Sequence, residues 1–253
     1  MFNDVSLLIT HYNRSESLRY LLKAVDDLKL QFGQIVISDD CSSIDHLKTI
    51  KSLAERYNAV LVTTEKNGGL GDNINKGQDK VTLPYTLYIQ EDFRPKKSFI
   101  EPLQDALDFM QADSDLDLVR FYAYKPYPYL KPYGKGFSKM IFDLKLKGYG
   151  KFYAYSDHPH LRRSSFPQKF GKYKLGHNPE QTEYRMMMSY LQNNGQGLFY
   201  DNFKSLFEHM NSSDEPSTMK RNSIRRGNNP VVVQIRHLYR HLKFNANYVF
   251  SKY

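Results

Sequence analysis

The chain has 253 residues, which is enough for one or two domains with a substantial core. Apolar residues make up 40%, and no apolar run is long enough for a membrane-spanning helix, so the composition indicates a globular protein. The N-terminus has no basic region followed by an apolar one, and the single Cys41 excludes an internal disulfide, so we expect a cytoplasmic protein.

The net charge of +9 is concentrated near the C-terminus. No acid follows Glu215, whereas residues 216–253 contain eight Lys and Arg side chains. The rest of the chain is almost neutral, so the charge does not indicate that the main fold binds nucleic acid. Residues 231–242 are amphipathic and basic. This pattern suits a helix on an anionic membrane surface, and equally a helix docked on the domain with a solvated basic face.

Apolar runs alternate with helical patterns over the first hundred residues. The runs cover residues 5–9, 34–38, 59–63 and 86–89. This alternation predicts an α/β fold with a mostly parallel sheet built from right-handed crossovers. Polar segments follow the first, second and fourth runs, and parallel strands bring such segments to one edge of a sheet, where ligands bind.

Two adjacent carboxylates, Glu91 and Asp92, end the fourth run just before Pro95. Because proline cannot continue a central strand, we expect both acids at the edge of the sheet. There they suit a hard divalent cation that in turn holds a pyrophosphate. A solvated acidic turn is the alternative, just as Asp39 and Asp40 on their own suit a helix-capping loop.

The second half of the chain is less regular. A helical pattern over residues 99–110 and an apolar run over 116–121 precede eight tyrosines between residues 121 and 155, interleaved with prolines. Tyrosine meets both the apolar face and the hydroxyls of a sugar, so this region suits an acceptor platform; a proline-bounded hairpin is the alternative. Arg162 and Arg163 suit a phosphate, or a solvated basic turn.

An N-cap signal precedes the last strong helical pattern. Asn178 is followed by Pro179 and Glu180, so Asn178 is the expected N-cap and Glu180 lies in the first turn. There the helix dipole stabilises an acid, which explains Glu180 without any catalytic role. We expect the three methionines at 186–188 to fill the core.

Four motifs in the first hundred residues resemble the family 2 glycosyltransferases of bacterial type. The motifs are Thr10-His11-Tyr12-Asn13-Arg14, Asp39-Asp40-Cys41-Ser42-Ser43, Asn67-Gly68-Gly69 with Asn75-Lys76-Gly77, and Gln90-Glu91-Asp92. The resemblance implies a GT-A, Rossmann-like fold: a mostly parallel sheet flanked by helices, here with a basic C-terminal helical tail. Gln90 stands where the family usually has the first acid of its Asp-x-Asp element.

The resemblance also implies a set of site residues. Those expected to bind the nucleotide sugar, a UDP- or GDP-sugar, are Thr10, Tyr12, Arg14, Asp39, Asp40, Asn67, Gly69 and Asn75. Those expected to hold Mn²⁺ or Mg²⁺ are Glu91, Asp92 and His209. The base that takes the acceptor proton is Glu180 as first choice and Glu183 as second. The family commonly has Asp at the position of Gln181, so both choices are open.

The resulting prediction is an inverting, metal-dependent glycosyltransferase of surface polysaccharide or glycolipid synthesis, with a saccharide or lipid-linked acceptor. Residues 1–212 would form the catalytic domain, with a nucleotide-sugar half (1–97) and an acceptor half (98–212). Residues 213–253 would form a basic helical extension that contacts the inner membrane peripherally. A nucleotidyltransferase, or a non-catalytic basic protein that binds nucleotides or nucleic acid, is the alternative.

Overall fold

The computed structural model describes residues 1–210 and 230–253. Its strands are β1 (Phe2–His11), β2 (Phe32–Asp39), β3 (Val60–Val62), β4 (Tyr85–Gln90), β5 (Phe93–Pro95), β6 (Leu118–Arg120), β7 (Leu130–Gly134), β8 (Phe137–Met140), β9 (His160–Arg163), β10 (Gly197–Tyr200) and β11 (Phe207–His209). Its α-helices are α1 (Ser15–Asp27), α2 (Ile44–Arg56), α3 (Leu70–Gln78), α4 (Ile100–Ala112), α5 (Phe166–Phe170), α6 (Pro179–Gln192) and α7 (Pro230–Phe250). Short 3₁₀ helices lie at Lys97–Phe99, Gly150–Phe152 and Phe203–Ser205.

The first half of the sheet is parallel, as the alternating pattern predicts. Strand β1 lies between β2 and β4 and runs parallel to both, while β3 pairs with β2 in the same direction. The central residues of β1 are fully buried because helices cover both faces of this half. In this register His11 pairs with Asp39, and Thr10 pairs with Gln90. The polar strand ends therefore meet at one edge.

Beyond β4 the sheet is mixed. Strand β9 runs antiparallel between β4 and β6, β6 and β10 are parallel, and β8 and β7 complete the order β3-β2-β1-β4-β9-β6-β10-β8-β7. A separate ribbon pairs β11 with β5 and carries His209 to a position opposite Phe93. The antiparallel strand β9 thus lies between the parallel first half of the sheet and its second half.

The helix starts show how polar side chains fix the helices. Asn178 is the N-cap of α6, where its side chain accepts a hydrogen bond from the main-chain N–H of Gln181 at 2.9 Å, as the sequence predicts. Helix α1 begins at Ser15, whose hydroxyl pairs with His46 Nδ1 at 2.8 Å and ties α1 to α2.

The C-terminal helix α7 packs against the second half of the fold. Met186, Met187 and Met188 of α6 are buried in the same core cluster as Phe244 of α7, as predicted for core residues. In the ranges that the structure describes, no helix is long and apolar enough to cross a membrane. The predicted domain boundary between residues 212 and 213 lies outside those ranges.

Candidate functional site

A buried histidine–carboxylate pair joins the ends of β1 and β2. His11 Nε2 accepts the main-chain N–H of Arg14 at 3.1 Å, so Nδ1 carries the proton and donates it to Asp39 Oδ1 at 2.8 Å. Asp39 is fully buried, and Ser42 donates its hydroxyl to one oxygen and its N–H to the other. Burial alone would raise the pKa of Asp39, but the hydrogen bonds from His11 and Ser42 outweigh it and lower that pKa. Asp39 therefore braces both loops as an ionised group.

The next residue, Asp40, holds the glycine loop before α3. Its two oxygens accept the main-chain N–H groups of Gly68 and Gly69, each at 2.8 Å. Gly69 has a φ of +82°, a conformation that glycine adopts without the cost that a side chain would add. Asn67 adds a hydrogen bond to the Asp40 carbonyl at 3.2 Å. The pair Asp39 and Asp40 therefore fixes three loops at the sheet edge.

The carboxylate of Asp92 lies between a guanidinium and an imidazole. Arg14 Nη1 donates to Asp92 Oδ2 at 2.7 Å and lies 3.4 Å from Glu91 Oε1, while His209 Nε2 lies 3.2 Å from Asp92 Oδ2. Burial alone would raise the pKa of Asp92, but hydrogen bonds from His209 and Arg14 outweigh it and lower that pKa. The edge of β4 thus presents an ionised acid next to a cation.

The chemistry of this group fits a divalent cation, although the described residues contain no cluster of three or more His, Cys, Asp or Glu side chains that could hold one. Asp92 Oδ1 is buried and has no hydrogen-bond partner among the described residues. An oxygen of that kind suits a cation, and Mg²⁺ is commonly held by one or two carboxylates with substrate phosphates as further ligands. Among the predicted ligands, Asp92 thus offers an oxygen that suits a cation, and His209 lies beside it.

A second cluster of polar groups lies around Asp157, in the part of the chain that the sequence analysis assigns to the acceptor half. Tyr155 and Tyr173 both donate their phenol groups to Asp157 Oδ1, at 2.8 and 3.1 Å, and the two phenols contact each other. Burial raises the pKa of Asp157 to about 6, although these hydrogen bonds oppose the rise. Asp157 Oδ2 is buried without a hydrogen-bond partner in the ranges that the structure covers.

Glu183 lies directly beside this acid. The main-chain N–H of Asp157 donates to Glu183 Oε1 at 3.2 Å. Burial, followed by the negative charge of Asp157, raises the pKa of Glu183 to about 7. Glu180 lies one turn earlier on α6, and its side chain is exposed. A carboxylate with a pKa near neutrality is well suited to accept a proton near pH 7. The two glutamates thus differ in burial, and only Glu183 lies beside Asp157.

Residues 156–158 connect the two polar clusters. Ser156 accepts a hydrogen bond from Arg120 Nη2 at 2.8 Å and pairs with His158 Nδ1 at 3.1 Å. The His158 ring packs edge-on against Tyr124 at 4.8 Å, and Tyr124 in turn packs against His209 at 6.2 Å. Burial and the charge of Arg120 lower the pKa of His158 to about 3, so this ring is neutral. The segment 156–158 therefore contacts Glu183 at one side and, at the other, the Tyr124 ring that packs against His209.

Residues 6–171 of the chain match the model of Glycosyl transferase family 2. The chain belongs to this family. A relative from Borreliella burgdorferi, named as a cholesterol galactosyltransferase, is 27% identical over 121 residues, which are 47% of this chain and 33% of the relative. The chain thus spans about a third of the length of that relative.

Solved structures share the fold of this family 2 chain. S. aureus TarS 1-349 in complex with UDP-GlcNAc has a TM-score of 0.65 at 15% identity, covering 98% of this chain and 76% of that one. A mannosyltransferase from Pyrobaculum calidifontis in complex with GDP-Man and Mn²⁺ has a TM-score of 0.59 at 12% identity, covering 95% and 63%. These likenesses show that the fold is GT-A, as predicted.

The structure gathers the predicted donor residues at one edge but gives them different surroundings. Thr10 is buried and its hydroxyl pairs with Tyr88 at 2.9 Å, and Asn75 makes two hydrogen bonds to the main chain of Tyr173. Together with Asp39 and Asp40, these side chains hold the fold. Tyr12 and Gly69 are partly exposed, and Asn67 is exposed. The buried polar side chains thus fix the loops in place, whereas Tyr12, Asn67 and Gly69 form the accessible surface of those loops.

The prediction that Arg162 and Arg163 face a phosphate or solvent is wrong. Arg162 is almost fully buried and donates to Gln78 and Tyr173, because β9 inserts its side chain between β4 and the helices. Arg163 donates to the main-chain carbonyls of Met110, Asp113 and Leu116. Both guanidiniums therefore stabilise packing.

Sequence reasoning gave no role to His11, Asp157 or His158. The residue types are the signal for Asp157 and His158, because a carboxylate next to an imidazole brings two groups with acid–base chemistry together. For His11 the signal is its place in the polar motif at the end of β1. A cavity of about 490 Å³ between β8, α6 and α7 is lined by none of the predicted site residues.

Proposed function

We propose that this protein is an inverting glycosyltransferase that moves a sugar from a nucleoside-diphosphate sugar to an acceptor hydroxyl. The observation that carries the proposal is a series of hydrogen bonds and ring contacts. It runs from Asp92 and His209, through the segment 156–158, to Glu183. In such an arrangement, Asp92 and His209 would serve the leaving diphosphate at one end, and Glu183 would accept the proton at the other. Family membership supports it, and so do the UDP-GlcNAc and GDP-Man of the structures with the same fold.

The donor would lie along the edge formed by the ends of β1, β2 and β4. Arg14 is oriented by Asp92 and by the Met210 carbonyl, which accepts from Nη2 at 3.0 Å, so its charge is fixed near the expected diphosphate. Asp92 and His209 would hold Mn²⁺ or Mg²⁺, which when bound supplies positive charge for the departing diphosphate. Glu91, which lies near the same guanidinium, would contribute charge at this end.

On the acceptor side, Glu183 would take the proton from the attacking hydroxyl onto its carboxylate. Its raised pKa makes it a better proton acceptor than an ordinary glutamate, while the N–H of Asp157 fixes its orientation. Glu180, the first choice from the sequence, is exposed in the first turn of α6 and would act through its charge on Glu183. We therefore propose Glu183 as the base.

The acceptor would contact the aromatic side chains at the mouth of this region. Tyr124 is largely exposed next to His158 and His209, and sugars stack on such rings. The name of the cholesterol galactosyltransferase supports a lipid acceptor, so we propose a saccharide or lipid-linked acceptor of surface polysaccharide or glycolipid synthesis. We also propose a cytoplasmic setting, which the single Cys41 supports.

A ligand screen followed by a transfer assay tests the proposal. UDP- and GDP-sugars are added with and without Mn²⁺, and a ligand that binds the native state raises the melting temperature. The stabilising sugar nucleotide is then incubated with glycan and glycolipid acceptors, and NMR reads the anomeric configuration of the product. Transfer with inversion supports the proposal. Consumption of a nucleoside triphosphate with release of pyrophosphate, and no sugar transfer, would overturn it in favour of a nucleotidyltransferase.

A further inference from the structure

One face of α7 is fixed on the body of the protein. The Phe244 ring is buried and packs on Phe152 and Tyr184, with ring centres 5.6 and 4.9 Å away. Asn247 donates to the Tyr184 hydroxyl at 2.7 Å, and the Tyr248 ring packs on Phe142 at 5.1 Å. These contacts fix which side of the helix faces outward.

The outward side of α7 is apolar. Five large side chains on it are between 56% and 62% exposed, and we call them the apolar stripe: Ile235, Leu238, Tyr239, Leu242 and Val249. Since successive helical residues are rotated by about 100°, these positions fall on the side opposite Phe244 and Tyr248. An amphipathic surface helix normally turns its apolar residues toward the core, whereas this helix carries a second apolar face toward the outside.

The charged side chains of α7 itself are all positive. Arg236 and Lys243 follow one edge of the apolar stripe, and the Lys243 ammonium lies 5.9 Å from the centre of the Tyr239 ring. No Asp or Glu follows Glu215 in the sequence. A second copy docked on this face through a two-fold axis would bring like charges together, which disfavours self-association. An anionic surface instead gains from both the apolar residues and the charges.

We propose that the apolar stripe of α7 binds the surface of an anionic phospholipid bilayer, with the helix axis in the plane of the membrane. The apolar side chains would enter the boundary between headgroups and acyl chains, and Arg236 and Lys243 would contact lipid phosphates. The proposal goes beyond sugar transfer and holds or fails independently of it.

Vesicle co-sedimentation of the full chain tests the proposal. The probes are phosphatidylcholine vesicles and vesicles of equimolar phosphatidylcholine and phosphatidylglycerol. We expect binding to the anionic vesicles and little to the neutral ones. The triple variant Ile235→Ser, Leu238→Ser, Leu242→Ser should bind at least about tenfold more weakly. The double variant Arg236→Gln, Lys243→Gln should lose about fivefold per charge at low salt.

Leu175→Ser is the matched control, since Leu175 is equally exposed but lies far along the chain from α7. Its binding should equal that of the unchanged protein, and circular dichroism should show the same helix content for all variants. Equal binding of the triple variant and the unchanged protein would overturn the proposal. So would a dimer in solution, measured by light scattering, that the triple variant converts to a monomer, because the stripe would then bind a second copy.

Discussion

The main-chain N–H of Asp157 donates a hydrogen bond to the Glu183 carboxylate at 3.2 Å, while burial and the negative charge of Asp157 raise the pKa of Glu183. The contact joins the loop before β9 to the first turns of α6. It places a carboxyl group with a pKa of about 7 next to a segment that also reaches the Asp92 end of the site. In our proposal this group is the proton acceptor.

Replacing Glu183 by Gln should lower the transfer rate at least about 100-fold, since general bases contribute that much or more. Nucleotide binding, measured by thermal shift or calorimetry, should be unchanged because our proposal places Glu183 at the acceptor and not at the nucleotide. The matched control is Glu180→Gln, which removes an exposed acid from the same helix. A large loss in Glu180→Gln together with full activity in Glu183→Gln would assign the base to Glu180.

The rate of transfer should rise with pH and level off above a midpoint near 7, because only ionised Glu183 accepts a proton. Stability should respond in the opposite direction. A carboxyl whose pKa is raised in the folded state binds more protons there than in the unfolded chain, so its contribution to stability is present at low pH and is lost as pH rises through about 7. The melting temperature of Glu183→Gln, relative to the unchanged protein, should therefore be higher at pH 8 than at pH 5. The same difference at both pH values would contradict the raised pKa.

Asp92→Asn should remove the stabilisation that Mn²⁺ gives to the nucleotide-bound protein and lower transfer by at least about 100-fold. The expected cause is the loss of a full negative charge at the oxygen that has no hydrogen-bond partner among the described residues. Thermal shift with UDP or GDP, with and without Mn²⁺, measures the first effect independently of activity. The control is Glu208→Gln on β11, an exposed acid paired with Arg94. Metal-dependent transfer at the normal rate in Asp92→Asn would show that Asp92 does not hold the metal.

Asp39→Asn should lower the melting temperature by about 4 to 8 °C, because a hydrogen-bonded buried charge of this kind is worth roughly 2 kcal/mol. Both of its oxygens accept hydrogen bonds within the protein, so stability is the quantity that should change first. Asp45→Asn is the control, since that acid is almost fully exposed. If Asp39→Asn instead weakened nucleotide binding with an unchanged melting temperature, the residue would contact the nucleotide directly.

Tyr124→Ala should raise the KM for the acceptor about fivefold with a smaller change for the donor, because stacking on an exposed ring contributes about 1 kcal/mol. Tyr124→Phe should retain most of the affinity if the ring provides the contact. Tyr133→Ala provides the control, since Tyr133 is also exposed but lies on β7 and hydrogen bonds to Asp113. Equal KM values for Tyr124→Ala and the unchanged protein would remove Tyr124 from the acceptor surface.

Local patterns predicted the elements well where they are strongly periodic. Local patterns were sufficient for strands β1, β2 and β4 and for the cap of α6 at Asn178. These features depend on residues that are neighbours in the sequence, so they can be predicted from it. The tyrosine-rich region was harder to interpret. Tyr127 and Tyr155 are buried, whereas Tyr124 faces outward, and nothing in the local sequence separates them.

The sequence by itself determined the α/β fold and the edge at which polar strand ends meet, because apolar periodicity and parallel crossovers fix them. Its four motifs at that edge carry the resemblance to the family. Only the tertiary structure decided what each polar residue does there. Asp39 pairs with His11, which is 28 positions away in the sequence, and Arg162 is buried by the antiparallel insertion of β9. Glu183 accepts the main-chain N–H of Asp157. Each of these outcomes depends on a contact between distant segments, and burial and charge at such contacts set hydrogen-bond partners and pKa values.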